Sequence, residues 1–182
     1  MPDEHIICAG FGGQGIMVMG KLIAQAALAG GKEVAWLPSY GAEVRGGTAH
    51  CMVTISLKPI ATPVIFSPDV CFAMNKPSLL KFQGRVRKGG LLIVNTSLTD
   101  EKVSRKDIDV VRLPLTELAS KLGSGRIANM IAIGAYAAKR DAISLEDAIL
   151  SIKDVIPVYR HNLLKINASA LKEGYRLANG KL

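Results

Sequence analysis

The stretch that decides the fold is Ala9-Gly10-Phe11-Gly12-Gly13-Gln14-Gly15. The residues before it, His5 to Ala9, are short and apolar, as expected of a buried strand. From Gly13 to Ala29 the pattern is helical and apolar nearly all round, which indicates a helix buried on more than one side. Glycines between a strand and a helix let the chain turn tightly and let a ligand approach the backbone. The stretch therefore predicts a strand, a glycine turn and a helix at the start of an α/β fold.

A second strand follows this helix. We expect the helix to end at Gly30-Gly31 and the strand to run from Glu33 to Leu37, where Pro38 stops it. Together the three elements predict a β-α-β unit of ordinary length.

Strands and helices continue to alternate along the rest of the chain. Residues 49–57 alternate between apolar and polar positions, and they are predicted to form the antiparallel member of the sheet. The remaining predicted strands are 70–74, 91–94 and 109–113, and the remaining predicted helices are 77–82, 116–122, 127–139, one that begins at Ser144, and 160–178. The order predicts a single domain over residues 1–182, a three-layer α/β sandwich whose mostly parallel, Rossmann-like sheet has helices on both faces.

Composition restricts the class of protein. Apolar residues are 49% of the 182 residues and aromatic residues only 5%, so the core must be mainly aliphatic. No apolar stretch reaches the roughly 20 residues that span a bilayer. The acidic start of the chain does not resemble a signal peptide. We therefore expect a cytoplasmic protein without a membrane partner.

Cysteine spacing and charge bear on the kind of site. Cys8, Cys51 and Cys71 are far apart in sequence, so we interpret them as small buried side chains and expect no metal or iron–sulfur site. The net charge of +8 attracts anions. The densest cluster of basic residues lies at 81–88, and no nucleic-acid-binding motif accompanies it. We therefore expect this surface to be solvated or to face a partner protein, and we expect no binding of nucleic acid.

The glycine turn itself indicates phosphate binding. Gly10, Gly12 and Gly15 satisfy G-x-G-x-x-G between a strand and a helix, where exposed N–H groups and the helix dipole favour a phosphate. A dinucleotide site also needs an acidic residue at the end of the second strand. Here that strand ends Trp36-Leu37-Pro38-Ser39, which disfavours a free-standing nucleotide-binding dehydrogenase. A turn that only packs the helix against the strand stays open as the alternative.

A second glycine-rich loop, Ser39-Tyr40-Gly41-Ala42-Glu43-Val44-Arg45-Gly46-Gly47-Thr48, follows the second strand. Arg45 carries a planar, permanently charged group suited to phosphate or carboxylate, and Glu43 could orient it. The alternative is that the two side chains simply pair in solvent. Because the loop follows the second strand, we expect it to face the same crevice as the glycine turn. The sequence has no nucleophile motif and no paired-carboxylate motif, so no catalytic residue is predicted.

The two loops together resemble the gamma subunit of 2-oxoacid:ferredoxin oxidoreductases, and most of all the 2-oxoglutarate branch. The form Ser39-Tyr40-Gly41-x-Glu43-x-Arg45-Gly46-Gly47 after the glycine turn is specific in combination. Further matching positions, spread over the whole chain, are Ser67-Pro68-Asp69-Val70, Ala128-Asn129-Met130, Gly134, Lys165, Asn167, Ala170 and Gly174.

The resemblance implies an activity and a division of labour. Enzymes of this family oxidatively decarboxylate a 2-oxoacid, form its acyl-coenzyme A and reduce ferredoxin, with thiamine diphosphate and iron–sulfur clusters on other subunits. It implies alpha, beta and ferredoxin-like delta partners, and a gamma chain that contributes to coenzyme A binding and assembly and is inactive alone. The cofactor-binding positions it suggests are Gly10, Gly12, Gly13, Gln14, Gly15, Glu43, Arg45, Gly46 and Gly47.

Overall fold

The computed structural model describes residues 3–39 and 48–180. The strands in these ranges are β1 (Glu4–Phe11), β2 (Glu33–Ser39), β3 (Thr48–Ser56), β4 (Val70–Ala73), β5 (Leu91–Asn95) and β6 (Asp109–Leu113). The α-helices are α1 (Ile16–Ala29), α2 (Lys76–Phe82), α3 (Leu115–Lys121), α4 (Ala128–Lys139), α5 (Leu145–Val155) and α6 (Leu164–Ala178). Short 3-10 helices are formed by Gln83–Arg85, Gly125–Ile127 and Val158–Leu163.

All six of these strands form one sheet in the order β2-β3-β1-β4-β5-β6. The β1–β4, β4–β5 and β5–β6 pairs are parallel, whereas β3 is antiparallel to both of its neighbours. The predicted α/β class is confirmed, and so is the antiparallel strand predicted at residues 49–57.

The two strands of the predicted β-α-β unit do not lie side by side. β1 and β2 are both antiparallel to β3, so they run in the same direction with β3 between them. The predicted end of the second strand is wrong, since β2 continues through Pro38 to Ser39. Proline is tolerated there because β2 is at the edge of the sheet, where an N–H can face away from the ladder.

The two faces of the sheet are covered unequally. Alternate β1 residues point to opposite sides: Ile6 and Cys8 lie in a large cluster with α1, α3, α4, α5 and α6, and Ile7 and Ala9 lie in a smaller one with α2. The smaller cluster includes Phe82 at the end of α2. The three-layer arrangement therefore has a thick helical layer on one side and a thin one on the other.

Helix starts agree closely with the sequence. Ser144 caps α5, since its Oγ accepts from the Asp147 N–H at 2.9 Å, as the predicted capping arrangement requires. α2 has Pro77 in its first turn, and its N-cap is Asn75. The helix predicted over 160–178 is instead a 3-10 segment, Val158–Leu163, followed by α6.

Two glycines bring α4 and α6 into close contact. A Cβ on Gly134 would overlap the carbonyl oxygen of Leu171, and one on Gly174 would overlap the carbonyl oxygen of Ile131. The helices therefore touch backbone to backbone at this crossing. Both glycines are among the positions that carry the family resemblance, and the structure gives them a packing role.

Candidate functional site

The fold places the glycine turn at a crevice where the chain leaves the sheet in two directions. β1 continues into α1 on the thick side, and its neighbour β4 continues into α2 on the thin side. In open α/β sheets, ligands bind at such a switch point, outside the carboxyl ends of the strands. The structure thus puts the predicted phosphate turn at the edge where this fold class binds ligands.

The glycines of the turn fall into two groups. Gly10 and Gly15 are needed for close packing: a Cβ would lie 2.6 Å from Oε1 of Gln14 at Gly10, and 2.5 Å from Nδ2 of Asn129 at Gly15. Gly12 and Gly13 are exposed, and no described atom lies within 4 Å of the position of an added Cβ. Gly13 and Gly15 also have positive φ angles of 96° and 71°, which favour glycine. Gly12 and Gly13 therefore form the part of the turn that a ligand can approach.

The start of α1 is available to an anion. Its N-cap is Gly15, which offers no side-chain cap, and its first turn has no acidic residue. Within the described ranges, no oxygen accepts from the N–H groups of Gly13, Gly15 or Ile16. These donors and the positive end of the helix dipole lie beside the open glycines, which is the arrangement that binds phosphate.

The side chain of Gln14 braces the turn. Its Oε1 accepts from the Phe11 N–H at 2.6 Å and from Nδ2 of Asn75 at 3.1 Å, while its Nε2 donates to the Met74 carbonyl at 3.1 Å. The amide thereby ties the turn after β1 to the residues that follow β4. This geometry gives Gln14 a role in holding the shape of the turn.

Two further asparagines extend this network, and sequence reasoning did not identify them as site residues. Asn75 is 1% exposed and caps α2 by accepting from the Ser78 N–H at 2.9 Å. Asn95, at the end of β5, is fully buried and donates from Nδ2 to the Met74 carbonyl at 3.3 Å and to Thr116 Oγ1 at 3.0 Å. Each asparagine closes a buried apolar strand, and this signal was present in the sequence.

Asn129 connects the turn to the thick helical layer. It lies at the start of α4 and donates from Nδ2 to the Gly15 carbonyl at 3.3 Å. The glycine turn is thus held by neutral amides from three directions, which fixes its backbone without placing a negative charge near the free N–H groups.

Of the second glycine-rich loop, Glu43, Arg45, Gly46 and Gly47 lie outside the described residues, so their predicted role stays a prediction. Both of its flanking strands are described. Ser39, the last residue of β2, pairs with His50, and Thr48, the first residue of β3, pairs with Phe11. The loop therefore leaves and re-enters the sheet at the same end of the strands as the glycine turn.

The strand order adds a second argument against a dinucleotide site. In the dinucleotide-binding Rossmann fold, the acidic residue that binds the ribose lies at the end of the strand next to β1. Here β3 occupies that place, so the end of β2 is two strands, or about 10 Å, from β1. Neither the residues at the end of β2 nor their position fits the ribose contact.

Basic side chains surround the ring of Phe82 on the thin side of the sheet. Lys81 Nζ and the guanidinium carbon of Arg85 lie 5.2 and 5.3 Å from the ring centroid, and the His50 ring lies 5.3 Å from it. Burial, followed by the charges of Lys81 and Arg85, lowers the pKa of His50. This part of the surface is electropositive, and His50 is the third residue of β3, two residues from the end of the strand that lies beside the glycine turn.

A structural ion pair lies at the other end of the strands, away from the glycine turn. Glu4, 7% exposed, lies 3.2 Å from Nε of Arg140 and accepts from the Tyr136 hydroxyl at 3.3 Å. Burial raises the pKa of Glu4, and the charge of Arg140 opposes this rise. The pair anchors α4 to the start of β1, at the end of the strand away from the glycine turn.

The cysteines and the other candidate ligands are scattered. Cys8, Cys51 and Cys71 are all buried, on β1, β3 and β4. Among the described residues, no group of three or more His, Cys, Asp or Glu side chains could hold a metal ion. Over the same part of the chain, no helix is both long enough and apolar enough to cross a bilayer.

Comparison with known proteins identifies the family. The sequence pattern of the family described as pyruvate ferredoxin/flavodoxin oxidoreductase matches residues 5–177. The chain belongs to this family. The match covers every strand and helix of the fold except the first residue of β1 and the last of α6.

Two curated relatives illustrate the similarity. The ketoisovalerate oxidoreductase subunit VorA of Methanothermobacter marburgensis is 41% identical over 151 residues, which cover 81% of this chain but only 31% of that protein. The 2-oxoglutarate synthase subunit KorC of Methanocaldococcus jannaschii is 31% identical over 180 residues, covering 96% of this chain and 94% of that protein. The chain thus spans less than a third of VorA and nearly all of KorC.

Solved structures share the fold. The gamma subunit of the keto/oxoacid ferredoxin oxidoreductase from Geobacter sulfurreducens has a TM-score of 0.84 at 26% identity, over 97% of this chain and 99% of that one. The 2-oxoglutarate:ferredoxin oxidoreductase from Magnetococcus marinus has a TM-score of 0.88 at 24% identity, over 100% of this chain and 32% of that one. That enzyme's structure has 2-oxoglutarate, coenzyme A and succinyl-CoA bound.

Proposed function

We propose that this chain is the gamma subunit of a multi-subunit 2-oxoacid:ferredoxin oxidoreductase, in which it contributes to coenzyme A binding and to assembly. The observation that carries the proposal is the open glycine turn at the crevice, where the N–H groups of Gly13, Gly15 and Ile16 have no acceptor among the described residues. A phosphate-bearing ligand suits these donors, and the strand order disfavours a dinucleotide. Similarity over nearly the full length to gamma-type chains supports the same assignment.

We infer that 2-oxoglutarate is the substrate of the complex. One relative that this chain matches almost end to end is a 2-oxoglutarate synthase subunit. Ketoisovalerate is the second candidate, because a ketoisovalerate oxidoreductase subunit is more similar in sequence over a shorter stretch. Both 2-oxoacids should be assayed with the same preparation of the complex.

The chain's own residues bind and orient in this proposal, and they do not perform the redox chemistry. The N–H groups at the start of α1 hold a phosphate of coenzyme A, while Gln14, Asn75 and Asn129 keep the turn in its binding shape. Thiamine diphosphate and iron–sulfur clusters belong to partner subunits, alpha, beta and a ferredoxin-like delta chain.

Exposed apolar side chains support the role in assembly. Val158 is 81% exposed, Tyr159 77% and Phe66 78%. An apolar cavity of about 440 Å³, lined by Leu145, Glu146, Ile149 and Leu150, opens on α5. Contiguous apolar patches on a surface mark contacts with other proteins, and Val158 and Tyr159 are neighbours in sequence. We propose that partner subunits cover part of this surface.

The central test compares the chain alone with the complex. The purified chain should give no 2-oxoacid-dependent reduction of ferredoxin, whereas the complex drawn from its own cells by a tag on this chain should reduce ferredoxin and form acyl-coenzyme A. Mass spectrometry identifies the co-purified subunits. Turnover by the chain alone, or a tagged preparation without any 2-oxoacid oxidoreductase subunit, would refute the proposal.

The amide brace gives a second prediction, for Asn75→Asp. Aspartate caps a helix as well as asparagine does. The carboxylate, however, cannot donate to Gln14 and would be buried against its Oε1. We expect a loss of about 1–3 kcal/mol in the free energy of unfolding and a raised KM for coenzyme A in the complex. Thermal unfolding and steady-state kinetics measure the two effects.

Asn162→Asp is the matched control, because Asn162 is exposed on the 3-10 helix Val158–Leu163. It adds the same charge without touching the turn, so both readouts should stay at the wild-type values. An Asn75→Asp complex with unchanged stability and an unchanged KM for coenzyme A would remove the brace from the proposed site.

A further inference from the structure

We propose that His50, Lys81 and Arg85 form a second anion site, which binds a terminal phosphate monoester. In the assembled enzyme this group is the phosphate on the ribose of coenzyme A, so the choice of ligand rests on the proposed function. The glycine turn is then left for the diphosphate of the same molecule.

The three side chains converge on one aromatic ring. Phe82 is fully buried, and its ring is flanked by Lys81 Nζ at 5.2 Å, the Arg85 guanidinium carbon at 5.3 Å and the tilted His50 ring at 5.3 Å. Lys81 is exposed, and His50 and Arg85 are half-buried. The three basic groups therefore lie around one fixed, buried ring, and Lys81 extends from it to the exposed surface.

The charges of this cluster are not neutralised by the described residues. Lys81 and Arg85 have no carboxylate within ion-pair distance in residues 3–39 and 48–180. Two nitrogens of Arg85 donate at 2.8 Å to the carbonyls of Ile65 and Phe66, which fixes the guanidinium. Nδ1 of His50 is buried, and no described atom is its hydrogen-bond partner.

A buried nitrogen without a partner among the described residues, beside two cations that no described carboxylate neutralises, is costly unless an anion binds there. The same cations contribute to the lowered pKa of His50, so the imidazole already experiences their positive potential. An anion placed between the three groups would accept hydrogen bonds from Lys81 and Arg85 and relieve their repulsion. The geometry thus has the features of a preformed anion site.

The register of the sheet places this cluster near the glycine turn. His50 pairs with Ala9 of the adjacent strand β1. Gly12, in the glycine turn, is three residues further along the chain. At the rise of an extended chain, these three residues span roughly 10 Å. In coenzyme A a single ribose separates the diphosphate from the terminal phosphate, so one nucleotide is of the size to reach both sites.

The number of donors favours the terminal group. A phosphate monoester carries a charge of about −1.5 to −2 near neutral pH and three acceptor oxygens. A diphosphate within a chain exposes fewer oxygens on each phosphorus. Three basic side chains from different directions suit the monoester, whereas backbone N–H groups at a helix start suit the diphosphate.

The test compares coenzyme A with dephospho-coenzyme A, which lacks only the ribose phosphate. The apparent affinity of the complete complex for each is measured for the wild type, Lys81→Ala, His50→Gln and Lys172→Ala. Lys172, exposed on α6, is the control for loss of one positive charge. Inorganic phosphate is tested in parallel as a competitor of coenzyme A.

We expect the wild type to prefer coenzyme A by roughly tenfold or more. Lys81→Ala and His50→Gln should lose most of this preference by weakening coenzyme A alone, and Lys172→Ala should keep it. Competition by inorganic phosphate should weaken in the same two variants.

Three results would overturn the assignment. The first is a wild type that binds coenzyme A and dephospho-coenzyme A equally well. The second is a set of variants whose affinity for both ligands falls equally. The third is a set of variants in which only the competition by inorganic phosphate changes, which would leave a site for free phosphate instead. A complex that binds neither ligand would refute the proposed function itself, and so the two failures are distinguishable.

Discussion

Gly134→Ala is expected to destabilise the chain by about 3 kcal/mol, near the upper end for overpacked cores. The added methyl group would overlap the carbonyl oxygen of Leu171, which is backbone and cannot rotate away. α4 and α6 would have to separate along their whole contact, since the reciprocal position, Gly174, meets the carbonyl of Ile131 just as closely. For a chain of this size, the melting temperature should fall by roughly 6–12 °C.

Gly84→Ala is the matched control for this change. Gly84 lies in the 3-10 helix Gln83–Arg85, and no described atom lies within 4 Å of an added Cβ there. Its melting temperature should stay within about 2 °C of the wild type, given that surface substitutions usually change stability by less than 0.5 kcal/mol. Equal melting temperatures for the two variants would show that the α4–α6 crossing adapts, contrary to the packing described above.

The same glycines show what a sequence can predict about function. Gly134 and Gly174 carry part of the family resemblance, yet the structure explains them by close helix packing, away from the glycine turn. Within the turn, Gly10 and Gly15 are likewise explained by neighbouring side chains. In the turn, only Gly12 and Gly13 are open to a ligand, so the same pattern of glycines contains both packing positions and open positions.

The elements of the fold were predictable because they depend on local patterns. Buried strands such as β5 begin with a continuous apolar run, here residues 91–94, and Pro114 directly follows β6. The place of β3 between β1 and β2 was not predictable in this way. Strand order depends on which edges pair after the helices pack, and the β-α-β pattern of the sequence is compatible with either neighbour.

The amide network was missed for a related reason. Gln14 and Asn75 are 61 residues apart, and each taken alone resembles an ordinary turn or capping residue. Their joint role arises only because β1 and β4 are adjacent, so that the two residues meet at the crevice. An asparagine at or just beyond the end of a buried apolar run, seen at both Asn75 and Asn95, is the local signal that indicates such a site.

Arg45→Ala, made in the complete complex, is expected to raise the apparent KM for coenzyme A by one to two decades. The loop that carries Arg45 joins Ser39 to Thr48, and both of these residues pair at the sheet edge next to the glycine turn. In the proposed site, a guanidinium from this end of the strands would contact the phosphate assigned to the N–H groups of α1. Losing one charge-assisted hydrogen bond costs about 1.5–3 kcal/mol, which corresponds to a loss of roughly one to two decades in affinity for coenzyme A.

The KM for the 2-oxoacid distinguishes the roles open to Arg45. If Arg45 contacts coenzyme A, the KM for the 2-oxoacid should stay nearly constant, and Lys172→Ala, which removes an equal charge from the surface of α6, should change neither constant. A rise in the 2-oxoacid KM alone would assign Arg45 to the substrate carboxylate. A complex that dissociates without a change in either constant would make Arg45 an interface residue and remove it from the coenzyme A site.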